Sequence, residues 1–170
     1  MTTLPHFDSD GHSRMVDVGN KPATRRVAIA SAQVHMDAST LELIQNRKIQ
    51  KGDVLELARI AGVMASKRTS DLVPLCHPLR LDSVDLEFSY LSETSIGIRA
   101  TVAATERTGV EMEALSAVTV AGLAIYDMCK SVDRQMKITQ IQLEEKSGGK
   151  SGHFQRGTES ADATTNQSSL

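Results

Sequence analysis

Tryptophan is absent from this 170-residue chain, and three Phe and two Tyr are its only aromatic rings. So few rings leave almost nothing on which nucleotide bases can stack, which argues against a single-strand nucleic-acid binder. Charge of one sign is lacking as well. A net charge of -2 gives neither nucleic acid nor an anionic membrane a reason to be the main partner. Cysteine is scarce: Cys76 and Cys129 show no framework spacing, which points to a reduced, cytosolic protein. Residues 1–14 are polar and broken by Pro5, Asp8, Asp10 and Gly11, so they hold no signal-peptide core. The uncharged run at 114–126 falls short of the ~20 residues that span a bilayer. These absences leave a soluble protein, and its length favours one core in a single domain.

What is present is periodic. Residues 27–36 (VAIASAQVHM) alternate as a strand, led in by Arg25 and Arg26. Ser39-Thr40 opens a short helix that ends near Asn46. Asp53, after Gly52, caps a second helix with Val54, Leu57, Ala58, Ala61, Met64 and Ala65 at helical spacing. Val84, Leu86, Phe88 and Tyr90, then Ile96, Ile98, Ala100 and Val102, alternate with polar or small residues and predict a hairpin turning near Glu93. A long helix follows over 112–130, and Ile138, Ile141 and Leu143 mark a last strand with one break in phase. That order predicts an α+β, ferredoxin-like (βαββαβ) antiparallel sheet with helices packed on one face. Residues 1–14 read as a flexible N-terminus, 15–157 as one catalytic domain and 158–170 as a disordered tail.

The long helix is apolar all round, so it belongs in an interior or an interface. Asp127 and Lys130, three residues apart on its last turn, are expected in a crowded, poorly hydrated place where each perturbs the other's protonation. The competing reading is a surface ion pair whose lysine complements the helix dipole. Lys51 stands just before the second helix, whose free N–H groups suit an anion, against the ordinary reading of a solvated loop lysine. Lys67-Arg68 closes that helix. Leu75-Cys76-His77 lies between Pro74 and Pro78, a place for substrate hydrogen bonding, since its spacing suits neither zinc nor a Cys-His dyad. Glu111, read as a loop residue, and Glu113 flank Met112, and paired carboxylates hold a guanidine-like edge of a base in a planar way. Residues 146–152 (KSGGKSG) fail the phosphate-loop pattern because Glu144 takes the leading glycine's place. They remain either a lid over phosphates or a plain linker.

Taken together, Met15-Val16-Asp17-Val18 with Lys21 and Arg26, then Lys51-Gly52-Asp53, Lys67-Arg68-Thr69, residues 75–79 (LCHPL), 108–115 (TGVEMEAL), 126–130 (YDMCK) and 146–152 closely resemble the molybdenum cofactor biosynthesis protein C family (MoaC), the cyclic pyranopterin monophosphate synthases. The resemblance runs from about Met15 to Phe154. It implies conversion of 3′,8-cyclo-7,8-dihydroguanosine triphosphate, made from GTP upstream, into cyclic pyranopterin monophosphate and pyrophosphate, a phosphorus-oxygen lyase reaction. It implies a ferredoxin-like fold in a homohexamer, a trimer of dimers, with sites at subunit interfaces. By motif position it implies Asp127 as catalytic acid/base, Lys51 and Lys130 as essential lysines, and Leu75, Cys76, His77, Met112 and Glu113 as substrate contacts. Asp17, Lys21, Arg26, Lys67, Glu111 and Lys146 match further pocket positions. Departures are Gly19-Asn20 and Pro22 around Lys21, Ser70 after Lys67-Arg68-Thr69, and a tail past Gly157 that aligns with nothing.

The residue chemistry fits that expectation. The reaction is a chain of proton transfers and one displacement of pyrophosphate, with no redox centre required. No metal site or cofactor is expected, apart from magnesium accompanying the triphosphate. Lysines crowded by other cations have depressed pKa values, so one serves as base while others hold phosphates. Two other classes share the fold: a non-catalytic nucleotide-binding regulatory module and an RNA-binding domain. The latter needs exposed aromatics, whereas Phe88 and Tyr90 are in phase with the core-facing Val84 and Leu86.

Overall fold

A computed structural model describes residues 10–46, 49 and 52–157. The expected tail at 158–170 and residues 1–9 of the expected flexible N-terminus lie outside the described residues, as does Lys51. The elements are β1 (Thr24–His35), α1 (Ala38–Gln45), α2 (Val54–Ser66), α3 (Thr69–Leu72), β2 (Ser83–Ser92), β3 (Ser95–Glu106), α4 (Glu111–Cys129), β4 (Lys137–Ser147) and β5 (Phe154–Gln155). One antiparallel sheet has the order β2-β3-β1-β4-β5, the ferredoxin-like arrangement with a short fifth strand added at one edge.

Alternation decides which face of the sheet is covered. In β1, Ala28, Ala30, Ala32 and Val34 are buried, while the residues between them are half-exposed. These small side chains let α4 lie close across β1, β3 and β4, and its own contact residues, Ala114, Ala117, Val118, Ala121 and Ile125, are fully buried. Helix α2 packs beside α4 and over β2. Their approach is close because Gly62 lacks a side chain, and a Cβ there would sit 2.9 Å from the Ala117 carbonyl oxygen. Leu86, Ile96, Ile98 and Ile125 complete the core, each contributing roughly 1.5–3 kcal/mol on full burial. By length and composition α4 is apolar enough to cross a membrane, yet it packs on three strands of the sheet, β1, β3 and β4.

Asp53 caps α2 as expected, accepting from the Glu56 amide at 3.1 Å. Other local features depart from the sequence reading. Glu111 is the first residue of α4 and not part of the loop, because Val110 is buried and already serves as the N-cap. The break in β4 is two register shifts against β1, each adding one residue on the β4 side, with Gln140 at φ 49. The stretch after Lys146 is a hairpin, in which β4 runs on to Ser147 and β5 returns against Glu145 and Lys146. Buried Asp133 had no signal in the sequence. Its carboxylate accepts the amides of Asp37 (2.8 Å) and Gln135 (2.9 Å), tying the start of α1 to the segment after α4. Tyr90 keeps the core-facing phase but is about half-exposed near the hairpin end, and Phe88 is covered by the Arg59 guanidinium 5.3 Å from its ring.

Candidate active site

The N-terminal end of α4 gathers most of the candidate residues. Val16, Val18 and Lys21 from the segment before β1, Leu75, Cys76 and His77 from the proline-braced turn, and Glu111, Met112 and Glu113 line a cavity of about 330 Å³. A second cavity of about 840 Å³ adjoins it and shares Lys21, Thr108, Gly109 and Glu111. Arg26, Arg107 and Lys150 open onto this larger one.

Local structure explains how these side chains are held. Asp17 accepts the Gly19 amide at 2.8 Å, and the Lys21 amide bonds the Val18 carbonyl at 3.0 Å, so a tight turn presents Lys21. Arg107 anchors that turn through the Gly19 carbonyl at 2.8 Å. Arg26 lies on the core face of β1 and is buried. Its Nε and Nη2 donate to the carbonyls of Glu106 and Arg107, and among the described residues no carboxylate is ion-paired with it. Lys146, in β4, hydrogen-bonds the Ser151 hydroxyl at the edge of the larger cavity.

Glu113 is the most perturbed acid among the described residues. It is buried in the first turn of α4, and desolvation, only partly offset by its backbone hydrogen bond and aided by nearby Glu111, pushes its pKa up to about 7. A carboxyl poised there exchanges protons at neutral pH. The Cys76 thiol is also pushed up, by burial and then by Glu113, which favours the neutral thiol over the thiolate.

Asp127 and Lys130 are elsewhere. Fourteen helical steps at ~1.5 Å put Asp127 about 21 Å along α4 from Glu113. Lys130 Nζ lies 2.6 Å from Asp127 Oδ1, with side chains 52% and 62% exposed. The expectation of a poorly hydrated setting therefore fails within one protomer, since α4 turns this face of its last turn to solvent. The Lys130 pKa is raised by the hydrogen bond and charge of Asp127, the reverse of the depression expected for a crowded lysine. Lys67 is the exposed C-cap of α2 and lines neither cavity. Arg107 escaped the sequence reading because it falls at the end of a strand with no periodic or motif signal. Lys150 was visible only as part of a glycine loop.

On the ferredoxin-like sheet, a cation-rich cavity thus adjoins a carboxyl-lined one at the N-terminal end of α4. Residues 15–149 match the model of the MoaC family. The chain is 56% identical over 162 residues to the cyclic pyranopterin monophosphate synthase of Pelotomaculum thermopropionicum, covering 95% of each chain. It is 54% identical over 153 residues to that of Desulfitobacterium hafniense, covering 90% of this chain and 94% of the relative. It is 56% identical over 153 residues to cyclic pyranopterin monophosphate synthase 1 of Mycobacterium tuberculosis, covering 90% of each. The chain belongs to the MoaC family.

Proposed function

We propose that this protein is a cyclic pyranopterin monophosphate synthase of molybdenum cofactor biosynthesis, acting on 3′,8-cyclo-7,8-dihydroguanosine triphosphate. The observation that carries the reading is the pairing of the two cavities. One offers Lys21, Arg26, Arg107 and Lys150 to phosphates, and the other offers Glu111 and the buried Glu113 to a guanidine-like ring edge. A carboxylate binds such an edge through two parallel N–H donors. Leu75, Cys76, His77 and Met112 form the remaining walls around that ring.

The reaction opens the guanine-derived ring, recloses it as a pyranopterin and closes a cyclic phosphate. In the last part a sugar hydroxyl oxygen attacks the α-phosphorus and loses its proton to a base. The bond from that phosphorus to the bridging oxygen breaks, and pyrophosphate leaves with the electron pair, which makes this a phosphorus-oxygen lyase. Ring opening and reclosure break and form C–N and C–O bonds through acid–base steps, and closing the cyclic phosphate is a phosphoryl displacement, so no redox cofactor is required, and magnesium accompanies the triphosphate. Lys51, Lys130 and Asp127 carry proton transfers. Lys130 is ion-paired with Asp127 at 2.6 Å, so the two take part in proton transfer as a pair. Asp17 and Lys67 take supporting roles, the first by shaping the turn that presents Lys21.

Asp127 and Lys130 reach this site from a second copy of the chain. Leu57, Ile60 and Met64 on α2 and Leu123 on α4 are all more than two-fifths exposed, an apolar surface that suits such a neighbour. The assembly is a homohexamer, a trimer of dimers, in the cytoplasm, where Cys76 and Cys129 stay reduced.

The test is direct. Purified protein incubated with the cyclised dihydro-GTP should release pyrophosphate and the cyclic product in equal amounts. Tight binding of the substrate without turnover would establish the alternative, a nucleotide-binding regulatory module.

A further inference from the structure

We infer that Asp133 is a positioning residue for the far end of α4: its buried carboxylate fastens the turn after Lys130 to the start of α1 and so fixes where Asp127 and Lys130 point. The inference deepens the proposed function and rests on its assignment of proton transfer to that pair.

The end of α4 depends on such a fastening. Met128 and Cys129 are buried, but residues 130–135 are exposed except Asp133. Val132 is 57% exposed, so burial of its apolar side chain does not hold the turn. A helix end leaves its last carbonyls without helical donors. Here the amides of Val132 and Asp133 both close on the Cys129 carbonyl, at 2.9 and 3.0 Å, which wraps the chain past Lys130. The Asp133 carboxylate then accepts the amides of Asp37 at 2.8 Å and Gln135 at 2.9 Å. Asp37 is the N-cap of α1, where the helix dipole favours a negative charge. Tyr126 adds a tie from within α4, its hydroxyl donating to the Arg134 carbonyl at 3.3 Å.

A cavity of about 210 Å³ lies against Asp133, lined also by His35, Met36, Asp37, Gln135 and Lys137. On this side the turn is therefore held by hydrogen bonds and not by close packing. Lys130 is the C-cap of α4, and its Nζ meets Asp127 Oδ1 at 2.6 Å across the same turn. Fraying of that turn would separate the pair, and a displacement of about 1 Å suffices to slow a reaction roughly 10²-fold.

The experiment reads kinetics and the lysine separately. Asp133→Ala and Asp133→Asn proteins are assayed with the cyclised dihydro-GTP at a temperature where circular dichroism shows each to be folded. Asp133→Ala should lower kcat about tenfold to a hundredfold with KM within about twofold of wild type, since the two cavities lie at the other end of α4. Asp133→Asn keeps the size and one acceptor oxygen, so it should recover part of the loss, and it carries the comparison if the alanine variant does not fold. Independently of turnover, Lys130 is titrated by NMR after isotope-labelled reductive methylation of the lysines, its signal assigned with Lys130→Ala. In the wild type Asp127 raises the Lys130 pKa, through its hydrogen bond and then its charge. That shift should shrink in Asp133→Ala towards the behaviour of Asp127→Asn. An unmoved Lys130 titration in the folded variants would overturn the inference, whatever the change in kcat, and so would a lower melting temperature with wild-type kcat. Absence of turnover in the wild-type protein, with a Lys130 titration that still depends on Asp133, would sink the proposed function and leave the positioning role standing.

Discussion

Glu113 is the residue whose protonation reports most directly on the site. Its pKa is raised from 4.5 to about 7, so between those values the folded protein holds a proton there that the unfolded chain has lost. Stability contributed at this position therefore falls as pH rises through that window, by at most about 1.4 kcal/mol per pH unit for one proton. Glu113→Gln should flatten this decline, seen as a smaller drop in urea midpoint between pH 4.5 and 7; an unchanged pH profile would mean that Glu113 is not perturbed. Lys130 and Asp127 are exposed in the protomer, so neither holds the core together. Lys130→Ala and Asp127→Asn should keep the wild-type circular dichroism and lose product formation by ~10²–10⁴-fold. A lower melting temperature with turnover intact would make the pair a structural ion bridge instead.

At the scale of elements, the contact of α2 with α4 leaves little room for an added side chain. A Cβ at Gly62 would lie 2.5 Å from Leu86 Cδ2 and 2.9 Å from the Ala117 carbonyl. The leucine can turn away, but the carbonyl belongs to the middle of α4 and cannot. Gly62→Ala should cost about 1–3 kcal/mol as overpacking, despite the better helix propensity of alanine. A denaturant titration decides the sign, and a gain in stability would show that the two helices can separate without loss. Since α4 carries Glu113 at one end and Lys130 at the other, a shift of this helix should also reduce activity in the variant.

The whole molecule sets the distance problem. One rigid helix separates Glu113 from Asp127 by about 21 Å, too far for both to touch the reacting end of one substrate. In a two-fold pair each residue can meet its counterpart's partner. Inactive Glu113→Ala and Asp127→Ala proteins, dissociated, mixed and reassembled, should then recover activity. Random pairing makes half the dimers mixed, with one intact site of two, so about a quarter of wild-type turnover is expected. Reassembly verified by native mass spectrometry with no recovery would place both carboxylates in one subunit's site.

The sequence by itself determined the periodic parts of this protein. Alternation in β1 to β3, the Asp53 cap and the all-round apolar α4 are local patterns, and local patterns survive without knowledge of what they pack against. The family, too, was legible, because Leu75-Cys76-His77 and the residues from Thr108 to Leu115 stand in fixed order along the chain. Only the tertiary structure decided which of those motifs meet. It brought the turn at Cys76, the loop at Lys21 and the start of α4 into one site, and it put Asp127 and Lys130 at the far end of the same helix, exposed. It turned residues 146–152 from a linker or lid into a closed hairpin beside Arg26, and it drew in Arg107, which no spacing had marked. Charge burial follows from the same cause. Whether Glu113 is solvated or Arg26 is unpaired depends on atoms distant in sequence, and a linear pattern carries no measure of those distances.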